Sequence, residues 1–153
     1  MTRRAYIDLD FADGEHRFKL GLAELEELQE KCDAGPPVIL DRLAGSMGQS
    51  GVAGLLAGGA RWRTHDVTET IRIGLIGGGM PPLKALALTR RYAVPPDMML
   101  CAKAAFSILA AALMGVDDEE VGKPEGEADP VSPTCPTENG DLLDSTETAR
   151  PSE

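Results

Sequence analysis

Arg4-Ala5-Tyr6-Ile7-Asp8-Leu9-Asp10-Phe11-Ala12-Asp13-Gly14-Glu15-His16-Arg17-Phe18-Lys19-Leu20 is the stretch that decides the fold. Ala5, Ile7, Leu9 and Phe11 alternate with polar residues, the period of a half-buried strand. Asp13-Gly14 follows as a two-residue turn, and His16, Phe18 and Leu20 resume the alternation. That turn pairs Phe11 with His16, Leu9 with Phe18 and Ile7 with Leu20 on one face. On the other face it sets Asp10 against Arg17 and Asp8 against Lys19, opposite charges across the ladder. A lone hairpin is marginal in water, so its apolar face requires a helical layer.

The residues that follow supply that layer. Leu22, Leu25, Leu28 and Cys32 form an apolar stripe on a helix over 22–32, which Gly35 ends. Pro36-Pro37 opens a short helix, Val38 to Ala44. The run 45–60 contains Gly45, Gly48, Gly51, Gly54, Gly58 and Gly59. It reads as a mobile loop, with a segment that orders on a partner as the alternative. Thr64 is a candidate N-cap, with Asp66 in the first turn and Val67, Ile71 and Leu75 on one helical face. Gly77-Gly78-Gly79 stops that helix and Pro81-Pro82 starts the next, with Leu83, Leu86 and Leu88 apolar and Arg90-Arg91 near its end. The last helix, about 97–114, is apolar nearly all round, which predicts a central place in the core. Gly115 is its expected C′ residue. The expected fold class is therefore α+β, mainly helical: an N-terminal β-hairpin followed by about five short helices.

Of the 153 residues, 15 are Lys or Arg and 25 are Asp or Glu, a net charge of −10. Residues 1–115 hold 13 acidic and 13 basic side chains, whereas 116–153 hold 12 acidic and 2 basic, so the whole excess lies in the last quarter. That quarter has five of the 11 prolines, no aromatic residue, and only Val116, Val121, Val131, Leu142 and Leu143 as large apolar side chains. Burying so few cannot offset an ordering entropy of roughly 1–2 kcal/mol per residue. The expected organisation is a domain over 1–115 and a disordered acidic tail over 116–153. The tail is either a solvating segment or an electrostatic arm for a basic partner. No signal peptide opens the chain, and the apolar run Met98 to Met114 is short for a bilayer span and interrupted by Lys103. Cys32, Cys101 and Cys135 are scattered, as expected of reduced thiols in a cytosol. An acidic chain with no basic cluster is a poor nucleic-acid binder.

Catalytic convergence is missing from the pattern. His16 sits on the apolar hairpin face and His65 in a helix first turn, both read as structural or solvated. No Ser-His-Asp, Cys-His or metal-ligand spacing occurs. Asp117-Asp118-Glu119-Glu120 lacks the spacing and glycine of a calcium loop and reads as a solvated helix exit. Gly77-Gly78-Gly79 lacks a preceding strand and a following Gly-Lys-Ser/Thr, and the prolines after it remove amide donors. It reads as a C-cap and tight inter-helix turn, not a phosphate cradle. Arg61-Trp62-Arg63 reads as a hydrophobic anchor before a base-stacking site. The sequence predicts no enzyme, no cofactor and no metal.

The order of these features resembles a known family. Phe18-Lys19-Leu20 with Leu22-Ala23-Glu24-Leu25-Glu26-Glu27 is similar to its opening. Asp66-Val67 with Ile71-Arg72-Ile73-Gly74-Leu75-Ile76-Gly77-Gly78-Gly79 is similar to its glycine block, and Ala104 to Gly115 to its closing helix. It is the gene transfer agent tail protein family, described both as a tail tube protein and as a tail assembly chaperone. The resemblance covers residues 4–115. The Gly-rich 45–60 run looks longer than the family's link, and the acidic tail falls outside the match. The resemblance implies a head–tail particle and no catalysis. Its implied partners are the tail tube protein and the tape measure protein, with no nucleic acid and no membrane. Gly74, Leu75, Gly77, Gly78 and Gly79 are the motif residues, expected to be structural. One clear hairpin and many helices favour a chaperone in the cytoplasm of the producing cell over a tube subunit of the virion.

Overall fold

A computed structural model of the chain describes residues 3–48, 52 and 60–117. The chain divides into two units, Met1–Asp118 and Glu119–Glu153. The second unit lies outside the described residues, and with it Cys135. Of the expected acidic tail, only its first residues, Val116 and Asp117, are described.

Four strands are described: β1 (Arg3–Arg4), β2 (Tyr6–Phe11), β3 (Gly14–Lys19) and β4 (Val116–Asp117). Five helices are described: α1 (Leu22–Cys32), α2 (Pro36–Ala44), α3 (Thr64–Gly77), α4 (Pro82–Tyr92) and α5 (Met98–Met114). The fold is the expected hairpin followed by five helices.

The hairpin is where predicted, but its ladder is slipped by two residues. Phe11 pairs with Gly14, Asp10 with Glu15, Leu9 with His16, Asp8 with Arg17, Ile7 with Phe18 and Tyr6 with Lys19. The turn is thus Ala12-Asp13, with Ala12 at φ 64°, and Gly14 is the first rung of β3. A two-residue slip keeps every side chain on its face, so Phe11 and Phe18 still enter the core, their rings edge-to-face at 6.1 Å. The expected Asp10–Arg17 and Asp8–Lys19 pairs do not form. Arg17 instead donates to both carboxylate oxygens of Asp8, at 2.9 and 3.2 Å, and lies 4.3 Å from the Tyr6 ring centroid. The slip leaves Asp10 opposite Glu15, like charges across a rung.

Helix boundaries follow their local chemistry. Glu24 reaches back to accept the Gly21 N–H at 2.9 Å at the start of α1, and Pro36-Pro37 form the first turn of α2. Arg63, not Thr64, is the N-cap of α3, and Asp66 accepts its N–H at 2.8 Å. On α1 Leu28 and Cys32 are buried, but Leu22, expected on the same stripe, is 76% exposed. On α4 Ala85 and Leu88 are buried, whereas Leu83 is 82% exposed. Both exposed leucines lie in a first turn, ahead of the residues that meet a neighbour. The Gly-rich 45–60 run falls largely outside the described residues; Val52 within it has helical backbone where a loop is predicted.

The core order also differs from expectation. Helix α3, not α5, is central: Val67, Ile71, Ile73 and Leu75 are fully buried, and it packs against α1, α4, α5 and β3. Helix α5 covers α3 and α2 with Cys101, Ala102, Ala105, Ile108 and Leu109, while Leu100 and Met114 stay 64% and 58% exposed. Gly115 closes α5 at φ 78°, as predicted. The chain does not exit into solvent there. Val116–Asp117 pair with Arg3–Arg4 as an antiparallel clasp, with Arg3 and Asp117 in an exposed ion pair at 3.8 Å. The described backbone thus continues past Gly115 as a strand, and Asp117 belongs to that strand, not to a helix exit.

Candidate functional site

The motif residues Gly74, Leu75, Gly77, Gly78 and Gly79 lie together at the C-terminal end of α3. Gly74, Gly77 and Gly78 form a seam against β3. A Cβ on Gly74 would stand 3.1 Å from Ile108 and 3.2 Å from Phe18, tighter than ordinary packing. A Cβ on Gly77 would fall on the Lys19 carbonyl oxygen, and one on Gly78 on the Arg17 carbonyl oxygen. Backbone meets backbone here, which only glycine permits.

The end of α3 is a Schellman motif. Met80 donates to the Leu75 carbonyl and Gly79 to the Ile76 carbonyl, each at 2.9 Å, and Gly79 holds φ +110°. Leu75 is fully buried. The expected C-cap and inter-helix turn are therefore present. The docking of β3 onto the glycines was not predicted. Nothing local in a glycine run shows which strand will cross it.

Two ionisable groups beside the seam, His16 and Arg17, are engaged by Asp13 and Asp8. His16 Nε2 lies 2.8 Å from Asp13 Oδ1, a contact that lowers the Asp13 carboxyl below its usual range. Glu15, His16, Arg17 and Lys84 border an open cavity of about 290 Å³ over Gly78 and Gly79, with no convergence on a reacting position. His65 is exposed, and its carbonyl oxygen accepts from the Cys32 thiol at 3.6 Å. Burial, then the nearby Asp66, pushes Cys32 up to about 12, so it is a poor nucleophile at neutral pH. Burial likewise raises Cys101, with Asp97 adding to it. Trp62 packs against the core as the expected anchor.

Two polar networks tie α3 to its neighbours. Fully buried Asp66 caps Arg63 with one oxygen and faces Arg42 of α2 at 3.5 Å with the other. Arg72 donates to Glu69 at 2.6 and 2.9 Å and to Glu27 of α1 at 2.8 Å. Burial opposes charge on Arg72, but those carboxylates outweigh it and raise its pKa. Both networks fix helix positions. Among the described residues no group of three or more His, Cys, Asp or Glu is arranged to hold a metal. Nor is any helix there long and apolar enough to cross a membrane.

The family model described as phage tail tube protein, GTA-gp10, matches residues 4–115. The chain belongs to this family. The match begins one residue into the β1–β4 clasp and ends at the glycine closing α5, so it contains the hairpin, all five described helices and the whole glycine seam. No curated protein and no solved structure matches the chain. Membership points to a structural protein of a phage-like tail.

Proposed function

We propose that this member of the gene transfer agent tail family is a non-enzymatic tail assembly chaperone. In the cytoplasm of the producing cell it would bind the tail tube and tape measure proteins before they polymerise. The observation that carries this reading is the mismatch between composition and burial in α5. That helix has one charged residue among 17, yet exposes Leu100 and Met114 along with the half-buried Met99 and Phe106. Apolar surface left open on a folded body is what a helix-binding protein offers to an amphipathic partner. The described sheet consists of two two-stranded pieces, a small platform for stacking into a ring.

Co-expression with the tail tube and tape measure proteins from the same locus, followed by affinity purification, tests the proposal. A defined complex with either is expected, and its absence would count against the assembly role. The family description favours a second reading, a structural component of the tube itself. Quantitative mass spectrometry of purified particles separates the two, because a tube subunit must be present at the copy number of the tube.

A further inference from the structure

We infer that the cavity between the hairpin tip and the α4–α5 corner is a socket for one large apolar side chain carried on a basic helical segment of an assembly partner. The inference rests on the assembly reading above and names where that partner docks.

The cavity is about 260 Å³, walled by Phe11, Tyr92, Leu100 and Ala104. Pockets that hold a drug-sized ligand or cofactor run to about 300–1,000 Å³, so this one suits a single side chain instead. Its outer wall, Leu100, is the most exposed large apolar residue of α5, so the socket opens directly onto the uncovered face of that helix.

Charge selects the occupant. Asp10 and Asp97 stand on the lining, both exposed, and neither forms a hydrogen bond or ion pair through its side chain within the described residues. Asp10 also faces Glu15 across the ladder, an unfavourable pairing that the slipped register brings about. The Arg91 guanidinium is engaged close by, 5.5 Å from the Tyr92 ring centroid. An entering segment with Lys or Arg one turn from its apolar anchor would meet Asp10 and Asp97 and relieve the repulsion. The chain's own segment after 117 is the wrong occupant by charge, since 116–153 carries 12 acidic and 2 basic residues.

The test uses the full-length chain and fluorescent peptides tiling the tail tube and tape measure sequences of the same locus. An apolar, basic peptide should bind wild type. The double variant Asp10→Lys/Asp97→Lys should weaken it by more than about tenfold, and so should Ala104→Phe, which fills the socket. The melting temperature of the charge variant should be unchanged or higher, because the Asp10–Glu15 repulsion is gone. Equal binding by wild type and the charge variant would overturn the inference while leaving the assembly reading standing. Loss on Ala104→Phe without loss on charge reversal would overturn the basic-segment assignment. A concentration-dependent self-dimer that either variant dissolves would make a second copy the occupant instead. If wild type binds no peptide and captures neither protein in co-expression, the assembly reading falls and the socket with it.

Discussion

Helices α3 and α5 invert the usual relation between composition and burial. Helix α3 carries Thr64, His65, Asp66, Thr68, Glu69, Thr70 and Arg72 within 14 residues, yet it is the element the others surround. Each of its buried or half-buried polar groups has a partner: Asp66 has the Arg63 N–H, the Thr70 hydroxyl has the Asp66 carbonyl at 2.6 Å, and Arg72 has Glu27 and Glu69. Helix α5 is almost wholly apolar and is only half covered. A helix is central when all its faces find partners, whatever its mean hydropathy. Apolar surface beyond what the described body covers stays exposed.

The largest expected effect lies at the seam. Gly78→Ala drives a methyl group onto the Arg17 carbonyl, backbone against backbone, and should cost about 4 kcal/mol or abolish folding. Chemical denaturation with a circular-dichroism readout checks it; a variant as stable as wild type would mean that β3 does not cross the helix there.

A matched pair contrasts the two helices directly. Leu75→Ala on α3 should cost about 3 kcal/mol by opening a cavity in the core. Leu100→Ala on α5 should change stability by less than about 0.5 kcal/mol. Similar losses at both sites would erase the distinction between a covered helix and an open one.

Asp66→Asn keeps the size of the side chain but weakens the cap of α3 and leaves Arg42 without its carboxylate. A loss of about 2 kcal/mol is expected, read as a lower denaturation midpoint. The smallest effect belongs to the hairpin. Hydrogen bonding from Arg17 lowers the Asp8 carboxyl below its ordinary value of 3.8, and burial opposes this only in part. The folded value is the depressed one, so the pair's contribution is present above pH 3.8 and is lost as pH falls through the folded value. The melting-temperature gap between wild type and Asp8→Asn should be small and salt-sensitive at neutral pH, and should close in acid.

Much of this fold is legible in the sequence, and the exceptions share a cause. Alternation over residues 5–20 gives the hairpin and its faces, because face depends only on parity. The register is not legible, because Asp10–Arg17 and Asp8–Arg17 are both plausible opposite-charge rungs. Pro36-Pro37, Pro81-Pro82 and the glycine runs set helix limits through local backbone chemistry. Coverage is not local: α5 reads as the innermost helix and Leu22 and Leu83 as core, since composition does not show which face meets a neighbour. The β1–β4 clasp joins residues more than a hundred positions apart, with two-residue strands too short to carry a period. At the candidate site, the glycine block is visible as a motif and as a helix stop. Its function as a bed for β3 needs the tertiary fold, and so does the socket, whose walls come from β2, α4 and α5.

Absolute copy number settles the assembly role most directly. The quantity to measure is the amount of this chain per particle in purified particles, set against the amount bound to tail tube and tape measure proteins in producing cells. An assembly factor is abundant in the cellular complexes and absent or far below tube stoichiometry in the particle. One copy per tube subunit in the mature tail, with no complex in the cell, would contradict that role.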